Sequence, residues 1–177
     1  MHDIHNDFEI ENILEENRKR QEIINAPYNP VTGLGAVGER KKISIKDSPI
    51  GDMYLPVELI KENLFIRRLA KYGFKGYITR FIKEVEYSEE ALNQLWIEFI
   101  KYRIIYDFEY WTYSFIFIKD KVSPKDIPFK LNRAQRRVLN KLEKLRKAGK
   151  PIKFILLKAR QWGGSTLVQI YMLWIML

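Results

Sequence analysis

Apolar positions recur at three- and four-residue steps over two long stretches of the chain. The first runs Leu92, Leu95, Trp96, Phe99, Arg103, Tyr106, Tyr110, Phe115, Ile118. That period predicts one long helix. Ser88 stands where an N-cap belongs, Glu89 and Glu90 put acid in the first turn, and Ser123-Pro124 breaks the pattern. The second stripe is Val138, Leu139, Leu142, Leu145. Asn132 caps it, Gln135 stands three residues on to complete a capping box, and Gly149-Lys150-Pro151 ends it. Residues 6–25 read as a further helix. Phe8, Ile13 and Leu14 are its apolar positions, and its charge grades from acid to Arg18, Lys19 and Arg20.

Between these helices the pattern changes. Residues 25–38 hold two prolines and three glycines and cannot be regular structure. Short strands are expected at 41–45 and 53–55, a short helix opened by Pro56, and a turn over 71–76. Near the other end, residues 153–157 form a short apolar run suited to a buried strand. Residues 158–164 are a loop, and a helix starts at Ser165. From Leu167 to Leu177 every residue except Gln169 is apolar. Such a helix rises about 16 Å, roughly half a bilayer core, so a buried helix is expected. It stops in mid-pattern without a cap, as a truncated chain would. The fold class expected is α/β: a mainly helical region over 1–122, irregular near 25–56, and then helix, strand, loop and helix over 123–177.

Composition narrows the chemistry. The chain has 177 residues, 46% of them hydrophobic, which suffices for a core, and 30% charged, which argues against an integral membrane protein. The absence of cysteine excludes a disulfide scaffold, a Cys-ligated zinc site and a Cys nucleophile. His2 and His5 are the only histidines, so histidine catalysis is disfavoured. The first 16 residues carry six acids and no Lys or Arg, unlike a secretory signal. The net charge of +9 favours a polyanionic partner. Residues 130–160 hold twelve Lys or Arg and one acid, Glu143. This cluster is either the solvated face of an amphipathic helix or a contact for DNA phosphate, salt-sensitive and blind to sequence.

Three short motifs were weighed. Lys158-Ala-Arg-Gln-Trp-Gly-Gly-Ser-Thr166 lies between an expected strand and a helix, the setting of a phosphate-binding loop. Gly163 and Gly164 would let backbone approach a phosphate, Lys158 and Arg160 would balance its charge, and Ser165 or Thr166 would offer a hydroxyl to Mg²⁺. It is not a regular Walker A, because Lys158 stands where the first glycine belongs and Gly164 where the lysine belongs. The plain alternative is a strand-to-helix turn with a serine cap. Gly33-Leu34-Gly35-Ala36-Val37-Gly38 spells a dinucleotide fingerprint, but a turn precedes it and an expected strand follows. A flexible connector is the better reading. Phe115–Asp120 imitates a Walker B but lies in a helical pattern before the loop. The aromatics of 102–117 read as core, although Arg103, Asp107, Glu109 and Lys119 interrupt them.

These residues carry a resemblance. Lys158–Gln169 is similar to the Walker A region of the large terminase subunit of tailed bacteriophages, the ATP-driven motor that packages DNA. Its lysine is displaced to the start of the loop and an arginine follows at Arg160. The segments Tyr106–Trp111, Ile118–Lys121 and Ile127–Arg136 resemble the same family in the same order, most clearly the terminases of gut phages. The resemblance implies a parallel P-loop sheet with helices on both sides, and ATP and Mg²⁺ as cofactors. It implies nucleotide contacts from Lys158, Arg160, Gln161, Gly163, Gly164, Ser165 and Thr166, a Mg²⁺ ligand at Ser165, and Gln135 near the adenine. Implied partners are double-stranded DNA, a small terminase subunit and the portal, with no membrane, in the cytoplasm of a bacterial host. The Walker B acid and the nuclease acids are expected beyond residue 177, so this N-terminal part is expected to lack turnover alone. A different class of function, a basic DNA- or partner-binding module without nucleotide, rests on the 130–160 cations. A small structural protein would bind neither ligand.

Overall fold

The computed structural model describes residues 10–15, 17–18, 28–82, 88–120, 123–153, 155 and 162–177. It is a mixed α/β chain in which helices dominate. After a turn-rich segment, strand β1 (Arg40–Ser44) pairs antiparallel with β2 (Asp52–Pro56), Ile43 facing Met53. Helices α1 (Val57–Glu62), α2 (Leu64–Phe81), α3 (Glu89–Tyr106) and α4 (Phe108–Phe115) follow. A small hairpin pairs β3 (Phe117–Lys119) with β4 (Asp126–Pro128), again antiparallel. Helices α5 (Arg133–Lys147) and α6 (Gly164–Ile175) complete the described chain. Both sheets among the described residues are thus antiparallel pairs.

Two cores form. The first joins Ile43, Met53 and Leu55 of the hairpin to Leu59, Ile66, Leu69, Phe74, Leu95 and Phe99 of the helices above it. The second gathers Phe108 and Trp111 of α4, Leu139 and Leu142 of α5, and Leu167, Tyr171 and Trp174 of α6. Trp174 also donates its indole N–H to the Ile104 carbonyl at 2.8 Å, which ties α6 to α3.

Several expectations hold and several need correction. Strands occur at Arg40–Ser44 and Asp52–Pro56, close to the 41–45 and 53–55 expected, and Val57 after Pro56 starts a short helix. Ser88 caps α3, its side chain accepting from Ala91 N–H. The turn expected over 71–76 is instead a kink inside α2. Gly73 takes φ 73°, and a Cβ there would lie 2.7 Å from Lys46 Cβ, so glycine lets the hairpin loop approach. The single helix expected from Ser88 to Ile118 is three elements, because Asp107 stops α3 and starts α4, and Phe117–Lys119 is a strand. Within 153–157, Lys153 and Ile155 are in no strand and Ile155 is 91% exposed; the other three positions lie outside the described residues. Helix α6 is not buried along its length: Val168, Met172, Leu173 and Ile175 are exposed. Its packing against α4 and α5 covers only the Leu167–Tyr171–Trp174 side.

The join between the two cores is ionic. Asp107 ends α3 by donating its N–H to the Arg103 carbonyl and begins α4 by accepting from Tyr110 N–H. Its carboxylate takes both guanidinium nitrogens of Arg40 at 2.8 Å and Arg103 Nε at 3.3 Å. Arg103 is fully buried, lies over the Tyr110 ring at 3.8 Å, and donates to the Pro30 carbonyl. Glu109, in the first turn of α4, accepts from Val37 N–H and from Arg136 Nε of α5 at 3.2 Å. Arg136 in turn bonds the Gly35 carbonyl and lies over the Tyr28 ring. The segment 28–38 is therefore not a flexible connector. It is pinned by Arg103, Glu109 and Arg136, and at Gly33 (φ 79°) a Cβ would overlap the Tyr54 carbonyl.

Burial pushes the Asp107 carboxyl up, but Arg40 and Arg103 outweigh it and hold it below the usual range. Burial prevails at Glu109 and raises it. Removing one partner of a buried ion pair leaves the others uncompensated, which costs about 3–5 kcal/mol. Asp107→Asn should accordingly lower the unfolding free energy in urea by that amount, as a lower midpoint at unchanged slope. A depressed folded pKa gives stability that is complete above the unfolded value and lost as pH falls through the folded one. The gap in Tm between wild type and Asp107→Asn should therefore persist from neutral pH to about pH 4 and close below it. A gap that stayed constant to the acid limit would remove the carboxylate from this role.

Candidate functional site

The loop before α6 meets the start of α5. Asn132 caps α5 and the capping box is complete: Asn132 Oδ1 accepts from Gln135 N–H and Gln135 Oε1 accepts from Asn132 N–H, both at 2.9 Å. The same two amides have a second use. Asn132 Nδ2 donates to the Trp162 carbonyl and Gln135 Nε2 to the Gly163 carbonyl, each at 3.2 Å. Oxygens close the cap and nitrogens hold the loop. The amide orientations follow from these partners, since N–H groups face the oxygens and carbonyls face the nitrogens.

Gly163 is the N-cap of α6, at φ 78° and ψ 23°, a left-handed conformation that favours glycine. The cap anticipated at Ser165 is therefore at Gly163, and among the described residues no side chain caps α6. Gly164 begins the helix and is buried, with the Trp162 indole where its Cβ would be. Ser165 and Thr166 follow in the first turn, both exposed. Of the nucleotide contacts suggested by sequence, the structure brings together Gln135, Gly163, Gly164, Ser165 and Thr166 at one helix end. Lys158, Arg160 and Gln161 lie outside the described residues.

The donors here suit a phosphate and a hard cation. The first amides of α6 have no side-chain acceptor, and a helix start carries partial positive charge. Ser165 and Thr166 offer hydroxyl oxygens, which Mg²⁺ accepts. The Trp162 indole N–H is buried beside the same turn and has no hydrogen-bond partner among the described residues. Against this, Gln135 is 3% exposed with its oxygen and nitrogen both engaged. An adenine edge would have to share or displace those bonds. Among the described residues no group of three or more His, Cys, Asp or Glu is placed to hold a metal.

Charge on α5 is partitioned. Arg136 is buried against Glu109, Arg146 pairs with Glu143, and Lys147 reaches Glu58 of α1 at 2.7 Å. Arg133, Arg137, Lys141 and Lys144 are exposed and follow one another at three- and four-residue steps. The cationic face expected from sequence is thus narrower than its count of cations. Glu143 also accepts from the Tyr171 hydroxyl at 2.6 Å, and Arg146 lies over Trp174, so this part of the cluster binds α6. Sequence reading missed that use because Glu143 looked like a lone acid in a basic helix.

Comparison with known proteins finds no matching family model, no matching curated protein and no matching solved structure. Among the described residues no helix is long and apolar enough to cross a membrane.

Gly163 and Gly149 allow a clean comparison. Both have positive φ, but a Cβ at Gly149 meets nothing within 4 Å, whereas at Gly163 it meets Gln135 Nε2 at 2.7 Å. Either alanine variant should cost about 1–2 kcal/mol for the left-handed backbone. Gly163→Ala should cost more, and a Gln135→Ala background should erase the excess in a double-mutant cycle. Equal costs in the wild-type background would show that Gln135 does not hold the loop.

Proposed function

We propose that the chain is the N-terminal part of a viral DNA-packaging terminase large subunit and forms the ATP-binding portion of an ATP-driven DNA translocase. The observation that carries the reading is the α6 start: a left-handed Gly163, no side-chain cap, and Ser165 and Thr166 exposed in the first turn. It agrees with the terminase-like order of segments around Lys158–Thr166. In this reading the α6 amides receive the phosphates of ATP, Lys158 and Arg160 balance their charge, and Ser165 holds Mg²⁺. The bound Mg²⁺ supplies charge neutralisation across the phosphates. Gln135 positions the loop and approaches the base. A parallel sheet, double-stranded DNA, a small terminase subunit, a portal and the host cytoplasm belong to the same proposal.

Titrating the 177-residue chain with a fluorescent ATP analogue and Mg²⁺ tests it. Saturable binding should be lost in Lys158→Ala and weakened in the Ser165→Ala/Thr166→Ala pair, whose hydroxyls are exposed and bear no packing. Steady ATP hydrolysis is not expected from this chain by itself. Should the wild type ignore nucleotide, the nucleotide reading fails. If it then binds a DNA duplex and Arg133→Gln/Arg137→Gln/Lys141→Gln/Lys144→Gln loses that binding, the basic-module reading, favoured by this exposed row, takes its place.

A further inference from the structure

A second basic surface lies on the first core, away from the α6 loop in the chain. Helix α2 carries Arg67, Arg68, Lys71, Lys75 and Arg80 and no Asp or Glu. A groove of about 480 Å³ runs between α2 and β1, lined by Lys41, Lys42, Ile43, Ser44, Ile60, Arg67, Ala70 and Lys71. Four of these are cations and none is an acid. β1 pairs only with β2 among the described residues, so its other edge is open. Four consecutive β1 residues line the groove.

The cations beside the groove are held in an unusual way. Arg68 lies over the Phe81 ring at 4.4 Å, and Arg80 over the Tyr72 ring at 4.4 Å. Lys71 Nζ lies 5.1 Å from the Tyr72 ring centre. The two rings contact each other at 5.7 Å. Lys42 pairs with Asp52 and Lys75 with Asp47, but Lys41, Arg67, Arg68, Lys71 and Arg80 have no carboxylate partner among the described residues. An aromatic face fixes a guanidinium without cancelling its charge. A carboxylate would fix it and neutralise it. Arg68, Lys71 and Arg80 rest on rings in this way, and no carboxylate among the described residues offsets their charge.

We propose that this β1–α2 groove and the adjoining Arg68–Phe81 and Arg80–Tyr72 pairs form a contact surface for the phosphate backbone of a nucleic acid. The row of cations along this open, shallow groove suits a linear polyanion. The aromatic faces are occupied by cations rather than offered to bases, so the contact is to phosphate and independent of sequence. An anionic membrane would instead be met by apolar side chains projecting from a convex face. An acidic peptide added to the open β1 edge would leave Arg68 and Arg80 unused. The surface does not depend on nucleotide binding at the α6 loop.

Fluorescence anisotropy of a short labelled DNA duplex with the full chain, from about 50 to 200 mM salt, tests the proposal. Each phosphate contact contributes about −0.9 to the slope of log K against log salt. The triple variant Lys41→Gln/Arg67→Gln/Lys71→Gln should bind more weakly at every salt and lose about two to three from the slope. The charge-keeping variant Lys41→Arg/Arg67→Lys/Lys71→Arg should retain the slope, which separates charge from folding. The ATP-analogue titration should be unchanged in both, so failure here and failure of the nucleotide reading are distinct results. The proposal is overturned if the glutamine triple keeps wild-type affinity and slope. It is equally overturned if the triple's loss is matched by the charge-keeping variant. Vesicles of phosphatidylserine, or an acidic peptide, that bind the wild type more tightly than DNA and lose binding in the glutamine triple would assign the groove to that partner instead.

Discussion

Two carboxylates with three arginines decide how the halves of this chain meet. Asp107 and Glu109 stand two residues apart where α3 gives way to α4, and both are almost wholly buried. Buried carboxylates must be paired, or they neutralise. Arg103 is a local partner, one helical turn before Asp107, but Arg40 comes from β1 and Arg136 from α5. Each arginine also holds a backbone carbonyl of the first half, at Tyr54, Pro30 and Gly35 in turn. The hairpin, the 28–38 segment and α5 cannot then move independently. This is costly chemistry for a join. Apolar packing of similar volume is often as stable or more so, whereas removal of a single partner leaves a buried charge uncompensated.

That constraint explains which parts of the fold were legible in the sequence. Helix α5 could be read in full, because its cap, stripe and stop are local and lie within a few turns of one another. Strands β1 and β2 were readable for the same reason. The break at Asp107 was not. In the aromatic run 102–117, Arg103, Asp107 and Glu109 look like interruptions of a helix face. Their partners lie 67 residues away for Arg40–Asp107 and 72 for Val37–Glu109. No periodicity reports such pairings. The glycine-rich 28–38 segment failed for the mirror reason: its glycines suggested freedom, whereas Gly33 is needed because another group presses close, and Gly35 takes a positive φ of 67°. At Gly33 that group is the Tyr54 carbonyl, and at Gly35 the backbone oxygen receives Arg136.

The candidate site was legible in kind and not in detail. A glycine pair before a helix, with hydroxyls following, was visible as a pattern. The tie to α5 was not, because the capping-box residues look complete in themselves. Asn132 and Gln135 each use the oxygen of an amide locally and the nitrogen at a distance. A carboxylate in place of Gln135 would serve the cap as well and would repel the Gly163 carbonyl. That difference gives glutamine at this position a reason independent of any nucleotide.

The basic residues divide by what holds them. Arg136, Arg146 and Lys147 are matched by acids and do structural work, binding α5 to α4, to α6 through Glu143 and to α1. Arg68 and Arg80 are matched by aromatic rings, and Arg133, Arg137, Lys141 and Lys144 stand in solvent. Among the described residues the last two groups, like Lys41, Arg67 and Lys71 beside the β1–α2 groove, have no carboxylate to offset their charge. The local excess of cations in 130–160 therefore overstates the charge that α5 presents. Helix α2 was understated, since its cations are spaced along the chain with aromatics between them and make no conspicuous run. Counting charge along a sequence weighs every cation alike, whereas a partner meets only the charge that the fold has not already neutralised.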